Sequence, residues 1–173
     1  MDLILIRHGE TQFNADGIVQ GWLDTQLNEN GKRQAKAAAE QFNSEIDAIY
    51  SSDLLRAKQT AAEFTKKYKE VPYFEDERLR ERDFGEASGN YAKDYDWGEF
   101  WISNETVSIP NAETLTAYTQ RVASFLDSLK QTSYKKVLIV SHGGTINRTE
   151  AILVEGHVHT FHENTSIINL TLQ

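Results

Sequence analysis

A chain of 173 residues with 39% hydrophobic and 25% charged residues and two prolines has the make-up of an ordinary globular protein, and its length gives no reason to divide it into more than one domain. A formal net charge of −8 argues against non-specific binding to nucleic acid or to an anionic membrane surface, so an anionic ligand needs a local cationic pocket. The lack of cysteine excludes disulfides, thiolate zinc sites and cysteine nucleophiles, and the opening apolar run is too short for a signal peptide or a membrane span; a cytoplasmic location is the expectation.

Short apolar runs alternate with amphipathic stretches, the pattern of βα units around a mostly parallel sheet. Residues 3–6 form the first expected strand and run straight into Arg7-His8-Gly9-Glu10-Thr11. A helix over 28–43 follows, alanine-rich and opened by the capping residue Asn28. Next come a strand over 47–50, a helix on which Leu54, Ala57, Ala61, Phe64 and Tyr68 share a face, and a strand over 71–74. Residues 85–111 have no clean period yet hold Tyr91, Tyr95, Trp97, Phe100 and Trp101. They are expected to form a lid or insertion over the site, the alternative being a short helix over 96–103 that buries its aromatics. Leu115, Tyr118, Val122, Phe125 and Leu129 make the next helical stripe, read purely as core. A strand over 137–140 leads through Ser141-His142-Gly143-Gly144 into a helix over 143–154, and a strand over 167–170 closes the chain. The expected architecture is an α/β three-layer sandwich with a mostly parallel central sheet flanked by helices.

In open α/β sheets ligands bind beyond the carboxyl ends of the strands. Two expected strands end in histidine-containing, glycine-rich turns, and if they are neighbours and parallel, Arg7, His8 and His142 converge. Such a cationic cluster suits phosphoryl transfer, whose transition state spreads negative charge over three oxygens that arginine forks can clamp. A histidine among arginines is held neutral and nucleophilic by like charge. The site still wants a further arginine and an acid.

Five segments, in order along nearly the whole chain, carry a resemblance. They are "RHGET" with Asn14, "QGWLDTQLNENGKRQA" from Gln20, "SSDLLRAKQTA" with Arg56, "LRERDFGE" with Glu81, and "VSHGG" with His142. Together they resemble the histidine phosphatase superfamily, in its phosphoglycerate mutase-like branch. The resemblance implies that His8 is phosphorylated, that Arg7, Arg56 and His142 bind the phosphoryl oxygens, and that Glu81 is the acid and then the base. It further implies phosphate or substrate contacts from Thr11, Asn14, Gln20, Gly21 and Gly143, with no metal and no cofactor. Glu10 is left out, because a carboxylate beside a phosphate repels it. His157, His159 and His162 are a rival metal set, disfavoured because their spacing fits no helical zinc signature.

Mutases of the family, as the resemblance implies, are longer and carry basic residues after the acid motif. Here residues 85–111 hold Lys93 as their sole cation beside Glu86, Asp94, Asp96, Glu99 and Glu105. The expected activity is therefore hydrolysis of a small phosphomonoester whose organic part is neutral, aromatic or cationic. Mutase-type transfer and a catalytically silent phospholigand-binding module are the alternatives. Where the family commonly has Gly-Glu-Ser before the helix that follows the lid, this chain has Ala112-Glu113-Thr114. Beyond the substrate, the exposed aromatics leave a homodimer open.

Overall fold

The computed structural model of the protein describes residues 1–102 and 109–173. A five-stranded sheet runs in the order β3-β2-β4-β1-β5. The strands are β1 (Asp2–Arg7), β2 (Ala48–Ser51), β3 (Tyr73–Glu75), β4 (Lys136–Ser141) and β5 (Ile167–Thr171). β1, β2, β3 and β4 pair in parallel, while β5 returns antiparallel on β1. β1 and β4 are neighbours in register, Arg7 facing Ser141, so their histidine turns leave the sheet side by side.

Side-chain alternation along the strands builds two cores. Ile4, Ile6, Ile49, Leu138 and Val140 pack with Ala39, Phe42, Ala57, Ala61 and Phe64 from the region of helices α2 (Glu29–Gln41) and α3 (Leu55–Lys67). On the opposite face Leu3, Leu5, Ala48, Val137 and Ile139 pack with α5 (Leu115–Lys130) and with Ile146 of α6 (Gly143–Leu153). Every one of these strand residues is buried, and each large one contributes about 1.5–3 kcal/mol of transfer free energy. The three-layer α/β arrangement is the expected one.

The helix ends follow the sequence chemistry. Asn28 caps α2 by accepting from the Gly31 N–H at 2.7 Å, and Thr114 caps α5 by accepting from the Ala117 N–H at 3.1 Å. Gly9 and Gly31 are required by close approach: a Cβ on Gly9 would meet the Gly31 carbonyl oxygen at 2.5 Å, and one on Gly31 would overlap the Glu10 carbonyl oxygen outright. The loop after β1 thereby lies directly on the start of α2.

A short helix α1 (Gln12–Asp16) was not among the expected elements; Thr11 and Asn14 form a capping box at its start. Within 85–111, Gly85–Ala87 and Ala92–Asp94 are single 3₁₀ turns and α4 spans Gly98–Ile102. The short-helix alternative matches the part that is described; Ser103 and Glu105 lie outside the described residues. Phe84, Ala87, Phe100 and Ile109 gather with Val19 into a third, smaller core, against which Trp97 and Trp101 pack. The described part of the segment is thus packed around its own apolar centre as well as being a neighbour of the site. No described helix is long and apolar enough to cross a membrane.

Candidate active site

The carboxyl edge of β1 and β4, the start of α3 and the 85–111 segment enclose a cavity of about 300 Å³. Arg7, His8, Asn14, Gln20, Gly21, Arg56, Glu81 and Gly143 line it, so eight of the ten expected site residues share one space although they come from distant parts of the chain. The other two adjoin lining residues: His142 packs against His8, and Thr11 bonds Gln20 and Asn14.

His8 is buried, its Nδ1 2.7 Å from the Gly9 carbonyl oxygen. A carbonyl only accepts, so Nδ1 carries the proton and Nε2 keeps its lone pair. The rings of His8 and His142 lie 5.2 Å apart, centre to centre. Burial first, then the charges of Arg56 and Arg7, hold the His8 imidazole well below its ordinary pKa, against the opposing effect of the Gly9 carbonyl. Burial and then Arg56 do the same for His142. Both imidazoles are therefore neutral near pH 7, and desolvation exceeds the like-charge effect expected from the sequence.

The Arg56 side chain is oriented by the 20–25 loop: Nη1 donates to Leu23 O and Nη2 to Gly21 O, both at 2.8 Å. Gly21 has a φ of 50°, in the left-handed region that glycine adopts at little cost. Burial lowers Arg56 to about 10, opposed by Glu81 and Asp24, and it lowers Arg7 as well, again opposed by Glu81. Arg7 donates through Nη1 to the His162 carbonyl. Among the described residues seven buried side-chain polar atoms have no hydrogen-bond partner; four of them are Arg7 Nε, Arg56 Nε and both nitrogens of His142. Since buried polar atoms are normally satisfied, this concentration marks the spot as a receptor for an acceptor-rich group.

Glu81 faces the same cavity, its carboxylate Oε2 accepting from Gly144 N at 2.9 Å and Oε1 from Arg82 N at 2.9 Å and Tyr118 OH at 3.1 Å. Its backbone carbonyl accepts from Trp22 Nε1 and Arg121 Nη2, each at 2.7 Å. Helix α6 begins here with His142 as its first flanking residue and no side-chain cap, which leaves its N-terminal amides directed at the site.

Thr11 is fully buried, and its hydroxyl lies 2.8 Å from Gln20 Oε1 and 3.1 Å from the Asn14 amide N–H that it caps. It positions Asn14 and Gln20, both of which line the cavity. Glu10 turns to α2, where its carboxylate accepts from Asn28 Nδ2 at 2.7 Å. Glu113 of the Ala-Glu-Thr variant pairs with Arg121 at 2.7 Å, and the left-handed turn that precedes it falls on Asn111, φ 59°.

The far wall was only partly foreseen. Trp97, Trp101 and Phe84 form one side, and residues 159–162, from a strap over 157–162, form another. The three histidines of that strap do not share one centre. His157 and His162 approach Glu150 Oε2 at 3.7 and 2.8 Å, while His159 stacks on Trp101 at 4.9 Å. Among the described residues no three histidine or acidic side chains are grouped to hold a metal ion. Asn147 fixes the strap: its amide accepts from Thr160 N at 2.8 Å and donates to Thr160 O at 2.7 Å. An asparagine on the buried face of α6 was the sequence signal for this tie.

The sequence model of the histidine phosphatase superfamily (branch 1) matches residues 3–173. A metal-independent phosphoserine phosphatase of Arabidopsis thaliana is 35% identical over 84% of this chain, which spans 65% of that relative's length. Phosphoserine phosphatase 1 of Hydrogenobacter thermophilus is 34% identical over 81% of this chain and 70% of its own. The crystal structure of a phosphoglycerate mutase from Thermus thermophilus superposes with a TM-score of 0.79 at 28% identity, covering 98% of this chain and 92% of that one. Sequence match, sheet order and the convergence of both histidine turns on one edge agree: the chain belongs to the histidine phosphatase superfamily, branch 1.

Proposed function

We propose that the protein hydrolyses a small-molecule phosphomonoester through a phosphohistidine on His8. The observation that carries this is the meeting of His8, Arg7, Arg56 and Glu81 in one cavity, with His142 against His8. Nε2 of His8 attacks phosphorus as the ester P–O bond breaks, and the departing alkoxide takes the proton held by Glu81. Water then attacks the phosphohistidine, giving its proton to the ionised Glu81, and the P–N bond breaks to release phosphate and restore His8. Arg7, Arg56 and His142 bind the phosphoryl oxygens, where preorganised donors act on the charge that develops. Asn14, Gln20, Gly21 and the Gly143 amide complete the cradle. In this scheme Arg7 and Arg56 supply the positive charge and His142 a neutral N–H donor, so no metal is called for.

Hydrolysis rather than mutase transfer is supported by the far wall. Among the described residues that line the cavity no lysine appears, and Lys93 instead sits 5.2 Å from the Tyr91 ring centre. Among the described lining residues of that wall a second phosphate finds no lysine or arginine, whereas a neutral or aromatic organic part can lie against Trp97, Trp101 and Phe84. Residues 85–111 serve as the lid of a single domain in this scheme. The phosphoserine phosphatases among the relatives make phosphoserine the first natural ester to assay.

The test is turnover of p-nitrophenyl phosphate in EDTA, followed by a screen of phosphomonoesters and of 3-phosphoglycerate with and without 2,3-bisphosphoglycerate. Hydrolysis in EDTA is expected. No turnover, or rescue only by added metal, defeats the proposal, and dominant mutase activity defeats the choice of hydrolysis.

A further inference from the structure

Tyr118 lies in the middle of α5 among Leu115, Val122 and Phe125, fully buried, and by position alone is a core residue. Its hydroxyl nevertheless stands between two oxygens, Glu81 Oε1 at 3.1 Å and Thr145 Oγ1 at 2.9 Å. The Thr145 hydroxyl is already committed, because it lies 2.8 Å from the Arg80 carbonyl, which can only accept. Thr145 can therefore only accept from Tyr118. One phenolic proton thus has two acceptors, and one of them is the carboxylate proposed as acid and base.

We propose that Tyr118 is a positioning residue for Glu81, whose hydroxyl proton turns toward Glu81 when that carboxylate is ionised and toward Thr145 when it is protonated. The proposal rests on the acid and base role given to Glu81. Oε1 already receives Arg82 N and Tyr118, whereas Oε2 receives only Gly144 N, so Oε2 is the oxygen with room for the transferable proton. Once that proton leaves, Oε1 becomes the stronger acceptor and draws the phenol. When it returns, Thr145 is a neutral alternative that leaves no buried donor unsatisfied. Burial and the nearby Glu81 raise the Tyr118 hydroxyl well above its ordinary pKa, so it stays a donor throughout.

The other groups facing Glu81 come from every surrounding element. Arg7 of β1, Arg56 of α3, Arg82 beside it and His159 of the strap interact with its charge. The Gly144 amide of α6 bonds its carboxylate, and Arg121 of α5 bonds its carbonyl. All are fixed cations or donors apart from His159, which burial holds low. Among the described donors to the Glu81 carboxylate, only the Tyr118 hydroxyl has a second acceptor.

Two substitutions separate this from a packing role. Tyr118→Phe keeps the ring and removes the donor to ionised Glu81, so the alkaline limb of kcat/KM should move up by about one pH unit, as expected for loss of a hydrogen bond to a charged group. Thr145→Val removes the competing acceptor and leaves the phenol on Glu81, so the same limb should move down. Carbon-13 titration of the Glu81 carboxyl reads the same pair of shifts without turnover. Opposite shifts support the proposal; shifts of the same sign, or profiles that superpose on the parent, overturn it. If the parent protein shows no hydrolysis while the carboxyl titrations still shift in opposite directions, the hydrolytic function fails and the Tyr118 pairing stands.

Discussion

Gly144 and Glu81 hold each other in contact: the Gly144 N–H donates to Glu81 Oε2 at 2.9 Å, while a Cβ on Gly144 would overlap Oε1 and stand 2.9 Å from Trp101 Cη2. The carboxylate is thus seated on bare backbone at the start of α6. Gly144→Ala should push Glu81 out of line and lower kcat/KM by roughly 10²-fold, the scale of a misplacement near 1 Å. The loss should be larger for an alkyl phosphate than for p-nitrophenyl phosphate, whose leaving group needs less protonation. Equal losses on both esters would mean that the phosphate cradle, and not the acid, was disturbed.

Arg56 is the cation that lysine replaces least well. Its Nη atoms are tied to the Leu23 and Gly21 carbonyls, which fixes the orientation of the remaining fork. A lysine has no planar fork and cannot hold both carbonyls while addressing phosphate. Arg56→Lys should lower kcat by about 10²–10³-fold, the usual cost of losing a transition-state donor. Steady-state kinetics at saturating ester checks it, and an unchanged kcat contradicts the assignment.

His8 and His142 predict the pH dependence of stability. Both folded pKa values are depressed, by burial first and by Arg56 next. The unfolded chain, with ordinary histidines near 6.5, then binds more protons than the folded one below that pH. Stability contributed by keeping them neutral is complete above about 6.5 and falls as pH drops toward the folded values, by up to about 1.4 kcal/mol per pH unit for each histidine. Urea unfolding between pH 7.5 and 5 should show this slope, and His142→Gln should reduce it. A slope unaffected by the substitution would place the proton uptake elsewhere.

Asn147 offers a test of the strap. Its amide satisfies both backbone groups of Thr160. Asn147→Ala removes both bonds, a local loss of about 1–3 kcal/mol. Amide exchange over residues 157–162 should quicken and KM should rise more than kcat falls. Exchange that stays at the parent rate would show that the Glu150 contacts to His157 and His162 suffice.

Much of this was legible in the sequence where chemistry and backbone period coincide. The apolar strands ending in Arg7-His8 and in His142 announced the site, because an edge position and a polar, glycine-rich turn can be read together. Tyr118 could not be separated from the core stripe, since helical spacing treats a phenol like a leucine and gives no sign of a carboxylate reaching it from the other side. The cap of Thr11 was unreadable for a related reason: a hydroxyl in a phosphate motif looks like a ligand, while its bonds to Asn14 and Gln20 emerge only in the fold. The antiparallel return of β5 and the strap before it were unreadable, since strand direction depends on the connection and not on the strand's own residues.

The two unpartnered nitrogens of His142 bear on the balance between stability and the proposed chemistry. A core optimised for stability alone would not bury an imidazole without partners, and under the proposed mechanism a bound phosphoryl group is what satisfies it. His142→Leu should then melt at a higher temperature than the parent while losing turnover. Such a trade would give a route to a stable, inactive scaffold of the same architecture.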